Sequence, residues 1–147
     1  MKTFNKTIKK ETNGEFDFID LTGEVEEIVK EGNIKNGLVN IQTLHTTCPV
    51  FLNENEPLLL EDFKSHLRKM APKEADYNHN DFTRRTVNMC ENECKNGHSH
   101  CLAINFPSSL ALNLIEGKLQ LGQWQRIFLV ELDVARPRQI QVQVLGE

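Results

Sequence analysis

Four of the five histidines lie in polar stretches beside turn-forming residues, where an imidazole can bind a metal ion or transfer a proton. His45 follows a strand-like run, and His79 lies in a polar segment. His98 and His100 are separated by one residue, so they would share one side of a strand but diverge on a helix. A catalytic zinc ion usually has three protein ligands and one open position, and neutral imidazoles suit both roles. These residues predict a histidine-built site, most simply a metal site.

A cysteine-containing metal site is an alternative. Cys90 and Cys94, together with His98 and His100, supply enough ligands for structural zinc, although the tight Cys-x-x-Cys spacing is absent. The two cysteines could equally lie on one face of a helical turn with nothing bound. The fifth histidine, His66, falls on the apolar side of a helical pattern, which favours a packed or interface histidine.

Two carboxylates, Glu54 and Asp62, could assist the histidines. Either could orient an imidazole or act as a general base. Both also lie near the start of a predicted helix, where negative charge complements the helix dipole. The sequence leaves both interpretations open.

Composition narrows the class of protein. The chain of 147 residues is long enough to bury its own core, so one domain spanning 1–147 is expected. A net charge of -4 provides no basic face for nucleic acid. No run approaches the roughly 18 apolar residues that cross a bilayer, and the first residues lack the apolar segment of a signal peptide. A cytoplasmic protein with reduced cysteines is expected.

The first half of the chain predicts strands and two main helices. Asn13-Gly14 indicates a turn that would join two strands of a hairpin over residues 2–21. A helix is predicted over Thr22 to Glu31, with Thr22 as its N-cap. Strands are predicted over Leu38 to His45 and Pro49 to Asn53, and a second helix from Asn55 and Pro57 to Met70.

The second half predicts a long loop and then strands. Residues 72–97 lack periodicity, and a stretch of that length inside a compact domain is either disordered or functional. Leu110 to Leu114 and Trp124 to Leu132 read as strands. Ile140, Val142 and Val144 alternate with glutamines, which predicts a strand with one buried face, in a hairpin with the Trp124 strand. Because strands and helices do not alternate as βαβ units, we expect an α+β fold with mostly antiparallel sheets.

A set of motifs in this order resembles a known family. The motifs are His45-Thr46-Thr47, Asn53-Glu54-Asn55, Asp62, Tyr77-x-His79, Ser99-His100, Gly117-Lys118-Leu119 and Leu121-Gly122-x-Trp124-Gln125-Arg126-Ile127. Together they span nearly the whole chain and resemble the YjbQ family, described as secondary thiamine-phosphate synthases. The sequence departs from the family pattern at Leu102 and Pro107, where lysine and glycine are common.

The resemblance implies an α+β fold, assembly as a homotrimer, and a pocket where histidines bind a divalent ion. By position, these ligands would be His45, His79 and His100, with His98 ranked fourth. Zinc is the favoured ion, and magnesium is the alternative because a pyrophosphate substrate could bring it.

The resemblance also implies an activity and further site residues. The enzyme would join a pyrimidine pyrophosphate to a thiazole phosphate and release pyrophosphate. Catalytic roles fall to Glu54 and Asp62, and substrate-binding roles to Thr46, Thr47, Gln125 and Arg138. Two alternatives remain open, namely a metal-assisted phosphoester hydrolase and a non-enzymatic trimer that binds a small molecule or a metal.

Overall fold

The computed structural model describes residues 1–147 and contains eight strands and three α-helices. The strands are β1 (Lys2–Glu11), β2 (Asp17–Asp20), β3 (Gly37–Thr43), β4 (Val50–Asn53), β5 (Ser109–Ile115), β6 (Lys118–Leu119), β7 (Arg126–Glu131) and β8 (Pro137–Gly146). The helices are α1 (Thr22–Gly32), α2 (Pro57–Met70) and α3 (Gly97–Ala103), with a 3₁₀ turn at Asn78–Asn80. The predicted α+β class is confirmed.

The strands form two antiparallel sheets. The larger sheet has the order β1-β8-β3-β5-β6, and the smaller has the order β2-β7-β4. The predicted hairpin over residues 2–21 is wrong, because β1 pairs with β8 whereas β2 pairs with β7. The predicted pairing of the last two long strands is also wrong, since β8 lies between β1 and β3.

The larger sheet buries one face against α1. Ile140, Val142 and Val144 on β8 are fully buried while the intervening glutamines are exposed, which confirms the predicted two-faced strand. Val39 and Ile41 on the adjacent β3 are buried on the same side. Burying such a side chain contributes about 1.5–3 kcal/mol, so this face is the principal source of stability.

The smaller sheet carries an aromatic cluster. Phe128 on β7 is fully buried and stacks on Phe51 of β4, with ring centroids 5.2 Å apart. Phe18 of β2 and Phe63 of α2 complete the cluster. This cluster packs α2 against the sheet, whereas His66 on the same helix is exposed and does not enter the core.

The helix boundaries follow local capping. The Glu56 carboxylate accepts hydrogen bonds from the backbone N–H groups of Leu58 and Leu59, which starts α2 with Pro57 in its first turn. At α1 the predicted Thr22 cap is wrong. The Asp20 carboxylate accepts the Thr22 N–H at 2.9 Å, and the Thr22 hydroxyl instead accepts the backbone N–H of Ile127.

The long segment 72–97 is largely irregular, as predicted, and leads into the unpredicted helix α3. Helix α3 is short and begins with a glycine followed by three polar residues, so a search for apolar periodicity does not detect it. None of the helices has the length and apolar character that crossing a membrane requires.

Candidate functional site: a histidine-lined pocket

His45 is fixed at the end of β3 by a backbone contact. The N–H of Gln139 on β8 donates to His45 Nε2 at 2.8 Å, and the His45 N–H donates to the Thr43 hydroxyl. Burial, and next the positive charge of Arg138, lowers the pKa of His45 below its ordinary value. The ring is therefore neutral near pH 7, with Nε2 as acceptor and the proton on Nδ1.

His79 and His100 form a close pair. His79 comes from the 3₁₀ turn and His100 from α3, and their ring centroids lie 4.6 Å apart in an edge-to-face arrangement. The Nε2 atom of His79 is buried and has no hydrogen-bond partner. Burial, and then the neighbouring His79, lowers the pKa of His100. A neutral imidazole keeps a lone pair available for a ligand.

A pocket of about 490 Å³ joins His45 to His100. Its polar lining includes Thr43, Thr46 and Ser108, and its apolar wall includes Phe106. The strand end of β3 and the side of α3 thus face one space. Two of the three histidines predicted from sequence share this pocket, and the third lies against His100.

These residues fit a divalent ion in part. The partnerless Nε2 of His79 beside His100 is the kind of donor set that zinc-like ions prefer. The His45 Nε2 lone pair, by contrast, is committed to the Gln139 N–H. No group of three or more His, Cys, Asp or Glu side chains in the chain converges as a metal site. The predicted triad of His45, His79 and His100 is therefore not assembled as a ligand set within one chain.

The helical conformation separates His98 from His100. His98 is buried, and its Nε2 lies 3.0 Å from Glu15 Oε1. It does not share the pocket, which corrects its ranking as a fourth ligand. The alternative cysteine site is also not assembled, because Cys94 lies between Asp133 and Arg136 while Cys90 contacts Glu93.

The predicted carboxylates lie away from the histidine pocket within one chain. Glu54 lines a separate depression with Trp124 and Gln125, where the Gln125 side chain accepts the Gly122 N–H at 2.8 Å. Asp62 is exposed on α2. In this structure neither carboxylate contacts the pocket that contains His45 and His100.

The predicted substrate-binding residues divide between two environments. Thr46 lines the histidine pocket. Arg138 is instead buried in a two-point ion pair, donating to Glu131 at 2.6 and 2.5 Å and to the Thr47 hydroxyl at 3.3 Å. The Arg138 guanidinium is bound by Glu131 and Thr47, so Arg138 and Thr47 hold the loop that carries His45 in place and do not face an open pocket.

Sequence reasoning missed the acidic partner of this network. Glu131 is fully buried and also accepts the Thr12 hydroxyl and the Asp133 N–H. The available signal was its position inside the apolar run from Ile127 to Leu132, since a carboxylate in a buried strand requires a cationic partner.

Gly97 allows α3 to approach the loop that holds His79. The Gly97 N–H donates to Asn80 Oδ1 at 2.9 Å, and an added Cβ would lie 2.5 Å from Tyr77 Cβ. We expect Gly97→Ala to displace Tyr77 and cost about 1–3 kcal/mol, as overpacking usually does. Urea denaturation measures this change.

Gly23→Ala is the matched control, because an added Cβ at that α1 position meets nothing within 4 Å. Alanine should there stabilise the helix by up to about 1 kcal/mol. Equal unfolding midpoints for both variants would contradict the proposed close approach at Gly97.

The fold and pocket define an α+β protein of antiparallel sheets in which His45 and His100 line one cavity and His79 lies against His100. The family profile described as "UPF0047 protein YjbQ-like" matches residues 6–147. The chain belongs to this family.

Known relatives cover the whole chain. A UPF0047 protein from Methanothermobacter thermautotrophicus is 33% identical over 147 residues, covering 100% of this chain and 95% of that protein. The UPF0047 protein YugU of Bacillus subtilis is 27% identical, and the match covers 96% of this chain and 98% of that protein. A crystal structure of a YbjQ-like protein of unknown function from Sulfolobus solfataricus P2 has a TM-score of 0.89 at 34% identity, covering 99% of both chains.

Proposed function

We propose that the protein is a metal-dependent transferase acting on small phosphorylated substrates at the histidine pocket. The reaction that its family resemblance favours joins a pyrimidine pyrophosphate to a thiazole phosphate and releases pyrophosphate. The observation that carries the proposal is the buried, partnerless Nε2 of His79 beside His100, next to a pocket that His45 also lines.

His79 and His100 are the residues that would hold the ion. A divalent ion there would neutralise negative charge on the pyrophosphate leaving group. Imidazole ligands favour zinc, whereas a pyrophosphate substrate could supply oxygens for magnesium. With two protein ligands, substrate oxygens and water would complete the coordination.

His45 has a different role from the one its sequence position implied. Because Nε2 accepts the Gln139 N–H, the neutral ring carries its proton on Nδ1 and acts as a hydrogen-bond donor. Its lowered pKa keeps it neutral, so it offers a donor without titrating near pH 7. A donor in this pocket can stabilise an oxygen that gains negative charge as the pyrophosphate departs.

Replacing His45 distinguishes a role as hydrogen-bond donor from a role as metal ligand. We expect His45→Ala to lower kcat about 100-fold, the scale of losing one preorganised donor, while divalent-ion content stays unchanged. Metal analysis beside steady-state kinetics measures both effects. His45→Ala protein that loses its ion together with its activity would show that His45 is a ligand.

The assay that tests the activity supplies both phosphorylated substrates with Zn²⁺ or Mg²⁺ and measures pyrophosphate and thiamine phosphate. Stoichiometric formation of both products supports the transferase. Hydrolysis of a generic phosphoester without an acceptor would replace it with the hydrolase. Tight ion binding with neither reaction would favour a non-enzymatic binding protein.

We also propose that the protein assembles as a cytoplasmic homotrimer, as its family resemblance favours. Trp124 is 64% exposed beside the depression that Glu54 lines, which supports contact with a neighbouring copy. Such contact could bring Glu54 to a histidine pocket of another subunit. Light scattering at increasing dilution tests the assembly, and a monomer at all concentrations would refute it.

A further inference from the structure

A second pocket lies between α2 and the smaller sheet. It has a volume of about 210 Å³ and is formed mainly by Phe18, Phe51, Phe63 and Phe106, and its polar lining residues are Asn53, His66 and Asn105. We call it the phenylalanine pocket. It is distinct from the histidine pocket, and Asn53 is the one residue of the sequence motifs that lines it.

The ring arrangement suits a flat aromatic guest. Phe51 lies 6.2 Å from Phe18 and 6.3 Å from Phe63, both in edge-to-face contacts that leave ring faces and edges for a further ring. An engineered apolar cavity of about 150 Å³ binds benzene. A volume of about 210 Å³ therefore accommodates one substituted six-membered ring.

Two asparagines in the lining of the pocket offer one hydrogen-bond acceptor and one hydrogen-bond donor. Asn105 donates its Nδ2 hydrogens to the carbonyls of Cys101 and Leu102, which directs its Oδ1 elsewhere as an acceptor. Asn53 accepts the Glu54 N–H through Oδ1, which leaves its Nδ2 as a donor. The lining contains no Lys, Arg, Asp or Glu, and His66 is its only ionisable side chain, so no permanently charged group is there to pair with a charged guest.

We propose that the phenylalanine pocket binds a planar, uncharged heteroaromatic ring that carries both a hydrogen-bond donor and an acceptor. Phe106 lines both this pocket and the histidine pocket, so the two spaces are neighbours. This last step rests on the proposed function. The guest is then the aromatic ring of the substrate whose phosphates lie at the histidines.

The test uses 4-aminopyrimidine as the probe and chelator-treated full-length protein, so that neither metal nor turnover is involved. We expect saturable shifts in ¹H–¹⁵N spectra with Kd on the order of 1 mM, as suits a seven-atom fragment. Asn53→Ala and Asn105→Ala should each weaken binding about fivefold, the effect of one lost neutral hydrogen bond. Asn113→Ala, at an exposed position of β5, is the matched control and should bind as the parent does.

The outcomes separate this inference from the proposed function. Probe binding that depends on the two asparagines supports the pocket even if the transferase assay is negative. Equal binding by all variants, or no saturable binding, overturns the inference even if the enzyme is active. A probe that binds only as the protein dissociates into smaller species also overturns it, because the pocket would then be covered by a second copy.

Discussion

His100→Ala should release the divalent ion and lower kcat by about 1,000-fold or more. His100 is the partner of His79, whose Nε2 atom is buried, and removing it leaves one imidazole where the structure has two. Loss of an outer contact to a metal ligand already costs about 10–100-fold in affinity, so loss of a ligand costs more. If the ion contributes about 4 kcal/mol to the transition state, its release corresponds to about 1,000-fold in rate.

The measurements are ion content after gel filtration and steady-state kinetics of the purified variant. His66→Ala is the matched control for ion content, because His66 is exposed on α2. Full ion occupancy in His100→Ala would contradict the assignment of His100 as a ligand. Unchanged folding, followed by circular dichroism, shows that the loss is local.

Arg138→Ala should destabilise the fold by about 3–5 kcal/mol. Both members of the Arg138–Glu131 pair are buried, and the substitution leaves the Glu131 carboxylate in the interior without a cation. The cost of breaking a buried pair comes from this uncompensated charge and exceeds the net value of the pair itself. Guanidinium denaturation monitored by circular dichroism measures the loss.

Arg126→Ala provides the comparison, since Arg126 pairs with Asp20 at 2.9 Å but its side chain is 44% exposed. We expect that variant to lose no more than about 1 kcal/mol. Similar losses for both variants would show that the Arg138 pair is not buried in solution. The loop bearing His45 should also loosen in Arg138→Ala, because the contact to Thr47 is lost.

Sequence patterns that depend on neighbouring residues, such as strand alternation and helix capping, predicted individual strands and helices. The alternation at Ile140, Val142 and Val144 and the start of α2 near Pro57 are set by burial and capping within a few residues. Strand pairing was not predictable in this way. The chain does turn just after Asn13-Gly14, where the Asp17 N–H donates to the Gly14 carbonyl, yet β1 and β2 enter different sheets, because pairing is decided by packing across the whole chain.

The candidate site was partly predictable. Residue type and spacing indicated His45, His79 and His100; the structure places His45 and His100 at one pocket and His79 against His100. The role of His45 was not predictable, because its hydrogen bond with the Gln139 N–H joins residues 94 positions apart. The role of Arg138 was not predictable either, because its pairing with Glu131 depends on how β7 and β8 leave their two sheets. The carboxylates Glu54 and Asp62 remain proposals, since a single chain does not bring them to the histidines.

Long-range ¹H–¹⁵N spectra of the imidazoles during Zn²⁺ titration test the central claim most directly. Chelator-treated protein at pH 7.5 should bind one ion per chain, with the nitrogens of His79 and His100 shifting together. His45 should retain a neutral ring with its proton on Nδ1 throughout the titration. A joint shift of His45 with the other two rings, or no shift of His79 and His100 at one equivalent, would contradict the account.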